Sequence, residues 1–109
     1  MSEKRTVRIG FKDYTVNLTK ALEDDNRNLL HGKIHYGSSQ LHLNTDNEAQ
    51  TQWQTLLHEA IHGILMEAGF NRDEHHDELW LDCVTSGICR FLRDNPCAHS
   101  PAALTKFLK

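Results

Sequence analysis

The run His58-Glu59-Ala60-Ile61-His62 constrains this chain more than any other feature. Two imidazoles four residues apart lie about 40° apart around a helix of 3.6 residues per turn, so on a helix both face one point. Leu56, Leu57, Ile64 and Leu65 flank the run, with Ala60 and Ile61 inside it. Two polar rings in so apolar a helix are costly to bury without partners, and a shared metal ion removes that cost. Glu59 stands where its carboxylate reaches a water in the ion's open position. With eight histidines in 109 residues, the pattern arises by accident in roughly 4% of shuffled sequences. The surrounding residues therefore have to be weighed as well.

The length fits a single domain spanning 1–109 with one modest core, for which 39% apolar residues suffice. A formal charge of −3 gives no general attraction to nucleic acid or to an anionic membrane. The early cluster Lys4, Arg5, Arg8 and Lys12 is diluted by acids and reads as solvated strand surface. No apolar run reaches membrane-spanning length, and Met1-Ser2-Glu3-Lys4-Arg5 is followed by no signal-peptide core, so a cytoplasmic location is expected. Cys83, Cys89 and Cys97 form no CxxC pair and are odd in number, which argues against a disulfide framework or a cysteine-held zinc. Cys83 and Cys89 read as small buried residues of a helix.

Val7, Ile9 and Phe11, then Tyr14, Val16 and Leu18, alternate with polar residues. That is the period of half-buried strands, here two short ones over residues 6–18 around a turn at Lys12-Asp13. Residues 19–30 read as a short helix or an irregular crossover. A hairpin follows, with strands 33–36 and 40–44 and Gly37 supplying positive φ in the loop. His35 and His42 alternate with the apolar residues and read as exposed strand histidines, with a place at a cleft rim as the other reading. Thr45 or Asp46 can cap a helix that runs to about Ala68 and stops at Gly69, with Trp53 near its start reading as core. A second helix runs from about Asp73 to Arg93, its apolar stripe formed by Leu81, Val84, Ile88, Phe91 and Leu92, with Asp73, Glu74 and Asp77 complementing the dipole in its first turn. Asn95-Pro96 stops it, and a short helix after Pro101 packs Leu104, Phe107 and Leu108.

A catalytic zinc takes three protein ligands and keeps one position for water. Glu78 and Asp82, one turn apart at the edge of the second helix's apolar stripe, offer the third. Glu78 is expected to ligate directly, and Asp82 to accept a hydrogen bond from the free ring nitrogen of a ligating histidine, which fixes that ring's tautomer. His75 and His76 are the rival ligands, with Asp82 behind them. The metzincin pattern requires a histidine where Ala68 stands, which excludes that class.

HExxH on one helix followed by Glu78-Leu79-Trp80-Leu81-Asp82 on the next resembles the gluzincin arrangement. The order of segments also resembles the small metallopeptidase-like proteins of phages and prophages. The segments that carry it are Gly32-Lys33-Ile34-His35-Tyr36, Leu41-His42-Leu43-Asn44, Thr55-Leu56-Leu57-His58-Glu59-Ala60-Ile61-His62, and Phe91-Leu92-Arg93-Asp94-Asn95-Pro96. The resemblance implies an α+β, minimal zincin-like domain: a small N-terminal mixed sheet, an HExxH helix and a following glutamate-bearing helix. It also implies kinship with peptidases that cleave repressors in mobile elements, from which this chain departs by carrying no DNA-binding or sensor domain. Gly63, inside the metal helix, is unusual for its helix-weakening character.

Such a domain is expected to hold one Zn2+ per chain on His58, His62 and Glu78, with Glu59 as the general base against a protein or peptide substrate. Tyr36, His75 and His76 are the candidates for a second oxyanion donor, and a substrate strand could pair with the edge of the 33–44 hairpin. The alternatives are a zinc-stabilised protein-binding module with little turnover, and a helical interaction protein whose motif is coincidental.

Overall fold

The computed structural model describes residues 5–109; Lys4 of the basic cluster, and most of the segment read against a signal peptide, lie outside them. The domain is α+β. Strands β1 (Thr6–Ile9), β2 (Lys12–Thr19), β3 (Gly32–His35) and β4 (Gln40–Asn44) precede helices α1 (Ala49–Glu67), α2 (Glu78–Asp94) and α3 (Pro101–Leu108). The sheet is mixed, in the order β1-β2-β4-β3: β2 and β4 run parallel in the middle, and each outer strand is antiparallel to its neighbour.

Period-2 alternation puts Ile9, Tyr14, Leu41 and Leu43 on one face, where they form the buried core cluster. Leu56 and Ala60 of α1 pack against it, together with Val7, Val16 and Ile34. Gly63 has its reason here. A Cβ at that position would come within 3.1 Å of Ile9 and 3.4 Å of Ile34, so the missing side chain lets α1 lie close on the sheet. At its far end, α1 is tied to the first hairpin by the Glu67 carboxylate, which accepts from the Phe11 backbone N–H at 3.1 Å.

Several local expectations are corrected. The first turn is Gly10-Phe11, with Ile9 paired to Lys12, because Gly10 takes the positive φ of 63° that a two-residue hairpin loop needs. In the second hairpin Ser39, at φ 57°, takes the left-handed position in place of Gly37. Of the two readings of residues 19–30 the irregular crossover is the one found, after Thr19 has closed β2: the Asp24 carboxylate accepts from the backbone N–H groups of Asn26 and Asn28 at 2.8 and 2.9 Å, satisfying donors that a helix would use. Neither Thr45 nor Asp46 caps α1. Asp46 instead accepts from Ala21 N–H at 3.2 Å, and the helix starts after Glu48 with no side-chain cap.

The second helix starts later than its charge pattern suggests. Asp73–His75 is a separate 3₁₀ turn, and Asp77 caps α2 by accepting from Trp80 N–H at 2.9 Å. The buried face of α2 is Leu81, Thr85 and Cys89, whereas Ile88 and Phe91 are exposed. Cys83 is exposed too; all three cysteines are free. His35 is exposed and His42 half-buried, its Nδ1 3.1 Å from Thr19 Oγ1. Trp53 is half-buried and outside the core cluster, and Leu104, Phe107 and Leu108 of α3 are exposed. Among the described residues no helix is long and apolar enough to cross a membrane.

Candidate metal centre

Helix α1 presents one face to the sheet and its neighbour to α2, and the second of these carries the two histidines of the motif. His58 and His62 are one turn apart, with side chains 12% and 8% exposed. Glu78, in the first turn of α2, reaches back across the helix pair. Its Oε2 stands 2.9 Å from His58 Nε2 and its Oε1 2.8 Å from His62 Nε2. One carboxylate thus meets both imidazoles, one oxygen each, and the three donor atoms lie within 4.8 Å of one another.

These three residues could hold a metal ion, and the donor set fits one. A carboxylate oxygen facing a ring nitrogen at under 3 Å needs a positive centre between them, either a proton or a cation. Donors at 2.0–2.2 Å from a tetrahedral ion stand about 3.3 Å apart, so the observed contacts open by about half an ångström to admit it. Two rings and an acid supply three donors and leave one position free.

Glu59 is buried at 8% exposure, on the face of α1 that looks toward β3. A Cβ at Gly32 would come within 3.3 Å of its Cγ, so the bare backbone of β3 closes over the glutamate. Burial pushes its carboxyl up to about 7; the Glu78 and Asp82 charges act in the same direction, against His58. Burial also lowers His62, with Glu78 opposing. Both directions favour forms that a nearby cation would reverse for Glu59 and accept for His62.

Asp82 lies one turn on from Glu78, with Oδ1 3.0 Å from His58 Nδ1. That nitrogen is nevertheless without an aligned hydrogen-bond partner, so the contact is an ion-pair approach out of line with the N–H. His76 stands behind His62, Nδ1 to Nδ1 at 2.6 Å. His75 turns away: its Nδ1 accepts from Arg72 N–H at 3.3 Å and its ring lies edge-on to Phe70. Tyr36 is half-buried at the end of β3, its hydroxyl pushed up to about 12 by burial first, then by Glu59, Tyr14 and Glu78.

A cleft of roughly 460 Å³ opens beside two of the three donors, His58 and Glu78; His62 does not line it. His58, Glu59, Glu78 and Asp82 line it together with Thr55 of α1 and Thr85 of α2. The Thr85 hydroxyl, in a residue 3% exposed, has no hydrogen-bond partner among the described residues. His31 also lines the cleft, its Nδ1 accepting from the Asn47 side-chain amide at 2.9 Å. No motif marks His31 in the sequence; only the Asn44 clamp on residues 30 and 31 brings it there. His35 and His42 are absent from the lining. No family model, curated protein or solved structure matches the chain.

Proposed function

We propose that this chain is a zinc-dependent peptidase of gluzincin type, acting on a specific protein or peptide, in the manner of the small peptidases of phages and prophages and in the host cytoplasm. The observation that carries the reading is the Glu78 carboxylate spanning both HExxH imidazoles, with the buried Glu59 lining the adjoining cleft. His58, His62 and Glu78 hold the ion in this reading. When bound, zinc acidifies water and polarises a carbonyl oxygen.

The chain's own residues do the rest. Glu59 takes the proton of the attacking water on its carboxylate and delivers it to the departing amine. Its walled position against Gly32 keeps bulk water from competing for that proton. Tyr36 is kept as the candidate for a hydrogen bond to the developing oxyanion, because its hydroxyl senses the Glu59 and Glu78 charges while the His75 and His76 rings are engaged elsewhere. Strand β3 is a sheet edge, and its first residue lines the cleft. A substrate segment adding to that edge would run its backbone past the donors.

The test is a matched pair of proteins. Wild type should purify with about one zinc per chain and cleave its target. Glu59→Gln should keep the zinc and the fold while losing cleavage, and used as a trap it should retain the target on co-purification. A zinc-replete wild type that leaves a captured partner uncut would support the second reading, a zinc-stabilised binding module. One observation favours that alternative: the buried residues of α2 are only Leu81, Thr85 and Cys89. An ion joining the helices would add much of their mutual stability, which chelation followed by thermal melting measures directly.

A further inference from the structure

Residues 68–77 join the two helices that carry the donors, and His76 closes that segment back onto α1. Its Nε2 stands 2.6 Å from the Phe70 carbonyl oxygen, and its Nδ1 2.6 Å from His62 Nδ1. The two ring planes differ by 3° and the centroids are 4.9 Å apart. That separation equals the nitrogen gap plus the two ring radii, so the rings meet edge to edge in one plane with the nitrogens in line.

The direction of every hydrogen follows. A carbonyl oxygen only accepts, so His76 carries its hydrogen on Nε2. In the neutral ring Nδ1 is then an acceptor, and His62 must donate to it through Nδ1–H. A neutral His62 is left with its lone pair on Nε2, the atom that faces Glu78 Oε1 at 2.8 Å. The backbone carbonyl at the end of the chain cannot reverse this order.

We propose that His76 is a positioning residue that fixes the tautomer and orientation of His62, so that Nε2 is the nitrogen offered to the ion. This rests on the metal-centre reading above. Nothing in the HExxH spacing specifies such a partner. His58 has no equivalent, since its Nδ1 approaches Asp82 out of line. Without His76, His62 is free to carry its hydrogen on Nε2 or to rotate, and either outcome withdraws a ligand.

The experiment measures zinc and cobalt affinity by chelator competition in wild type, His76→Ala, His76→Asn and His75→Ala. His76→Ala should bind about 10- to 100-fold more weakly. His76→Asn, which restores an acceptor oxygen near the Nδ1 position, should recover most of that loss and the wild-type cobalt absorption spectrum, and His75→Ala should change neither. Equal affinity in His76→Ala and wild type would overturn the proposal while leaving the metal centre intact; a wild type that binds neither metal would overturn both. Should His76→Ala fail to fold, nitrogen NMR of zinc-loaded wild type decides. A coupling across the hydrogen bond between His62 Nδ1 and His76 Nδ1, with His76 in its Nε2–H form, is the expected signature. An Nδ1–H form of His76 refutes it.

Discussion

Replacing Glu59 by glutamine in the metal-free protein should make the domain more stable, and the gain should depend on pH in a defined way. Burial raises the Glu59 carboxyl from 4.5 to about 7 in the fold. Between those values the native state holds a proton that the unfolded chain has released. The stability linked to that proton is complete below pH 4.5 and is lost as pH rises through 7. Each unit of difference is worth 1.36 kcal/mol; integrated from pH 5 to pH 8, wild type loses about 2.5 kcal/mol that Glu59→Gln does not lose. The assay is urea unfolding of both proteins in chelator, followed by the fluorescence of Trp53 and Trp80, at half-unit steps across that range. The other titrating groups are common to the pair and largely cancel in the difference. Excess zinc should flatten the difference, because a cation beside Glu59 favours its ionised form. Two proteins whose stabilities run parallel from pH 5 to pH 8 would refute the burial argument for Glu59.

Three more outcomes follow from the same geometry. His58→Ala and His62→Ala should each lose the bound zinc by elemental analysis, since two remaining donors do not hold it; full retention in either would displace that residue from the centre. Thr85→Val should stabilise the domain by about 1 kcal/mol in chemical denaturation, because the buried hydroxyl it removes has no partner; a loss of stability would show that the hydroxyl is bonded after all. Gly32→Ala should cost about 1–3 kcal/mol: its Cβ would stand 2.4 Å from Thr55 Cγ2, and Thr55 is held by its own hydroxyl to the Thr51 carbonyl at 2.7 Å. A neutral Gly32→Ala would mean that β3 is free to back away from α1.

The parts of this fold that were legible in the sequence are those governed by period. Alternation placed the four strands and the face that carries Ile9, Tyr14, Leu41 and Leu43, and the helical repeat put His58 and His62 on one side of α1. Where competing side-chain bonds decide, the pattern misled. Asp46 looks like a cap and serves the crossover instead, and the acids from Asp73 onward look like one first turn although Asp77 alone caps α2. In the buried line Leu81, Thr85, Cys89 it was Thr85 that the pattern missed, because a threonine weighs little in a hydrophobic stripe beside Ile88 and Phe91. The approach of Glu78 and Asp82 to the histidines could be anticipated from spacing and helix phase. The place of His76 could not, since it depends on the path of the ten-residue connection 68–77 and on a backbone carbonyl.

The glycine that follows the second histidine has a reach beyond its own position. A helix weakened at Gly63 borrows its straightness from the strands beneath, chiefly through the Ile9 and Ile34 side chains that fill the gap. Damage to either isoleucine, on elements that contribute no donor atom, would then loosen the angle between the two imidazoles. A mutational screen for lost activity would register such distant lesions as though they struck the chemistry itself, and only metal affinity measured alongside folding would tell the two apart.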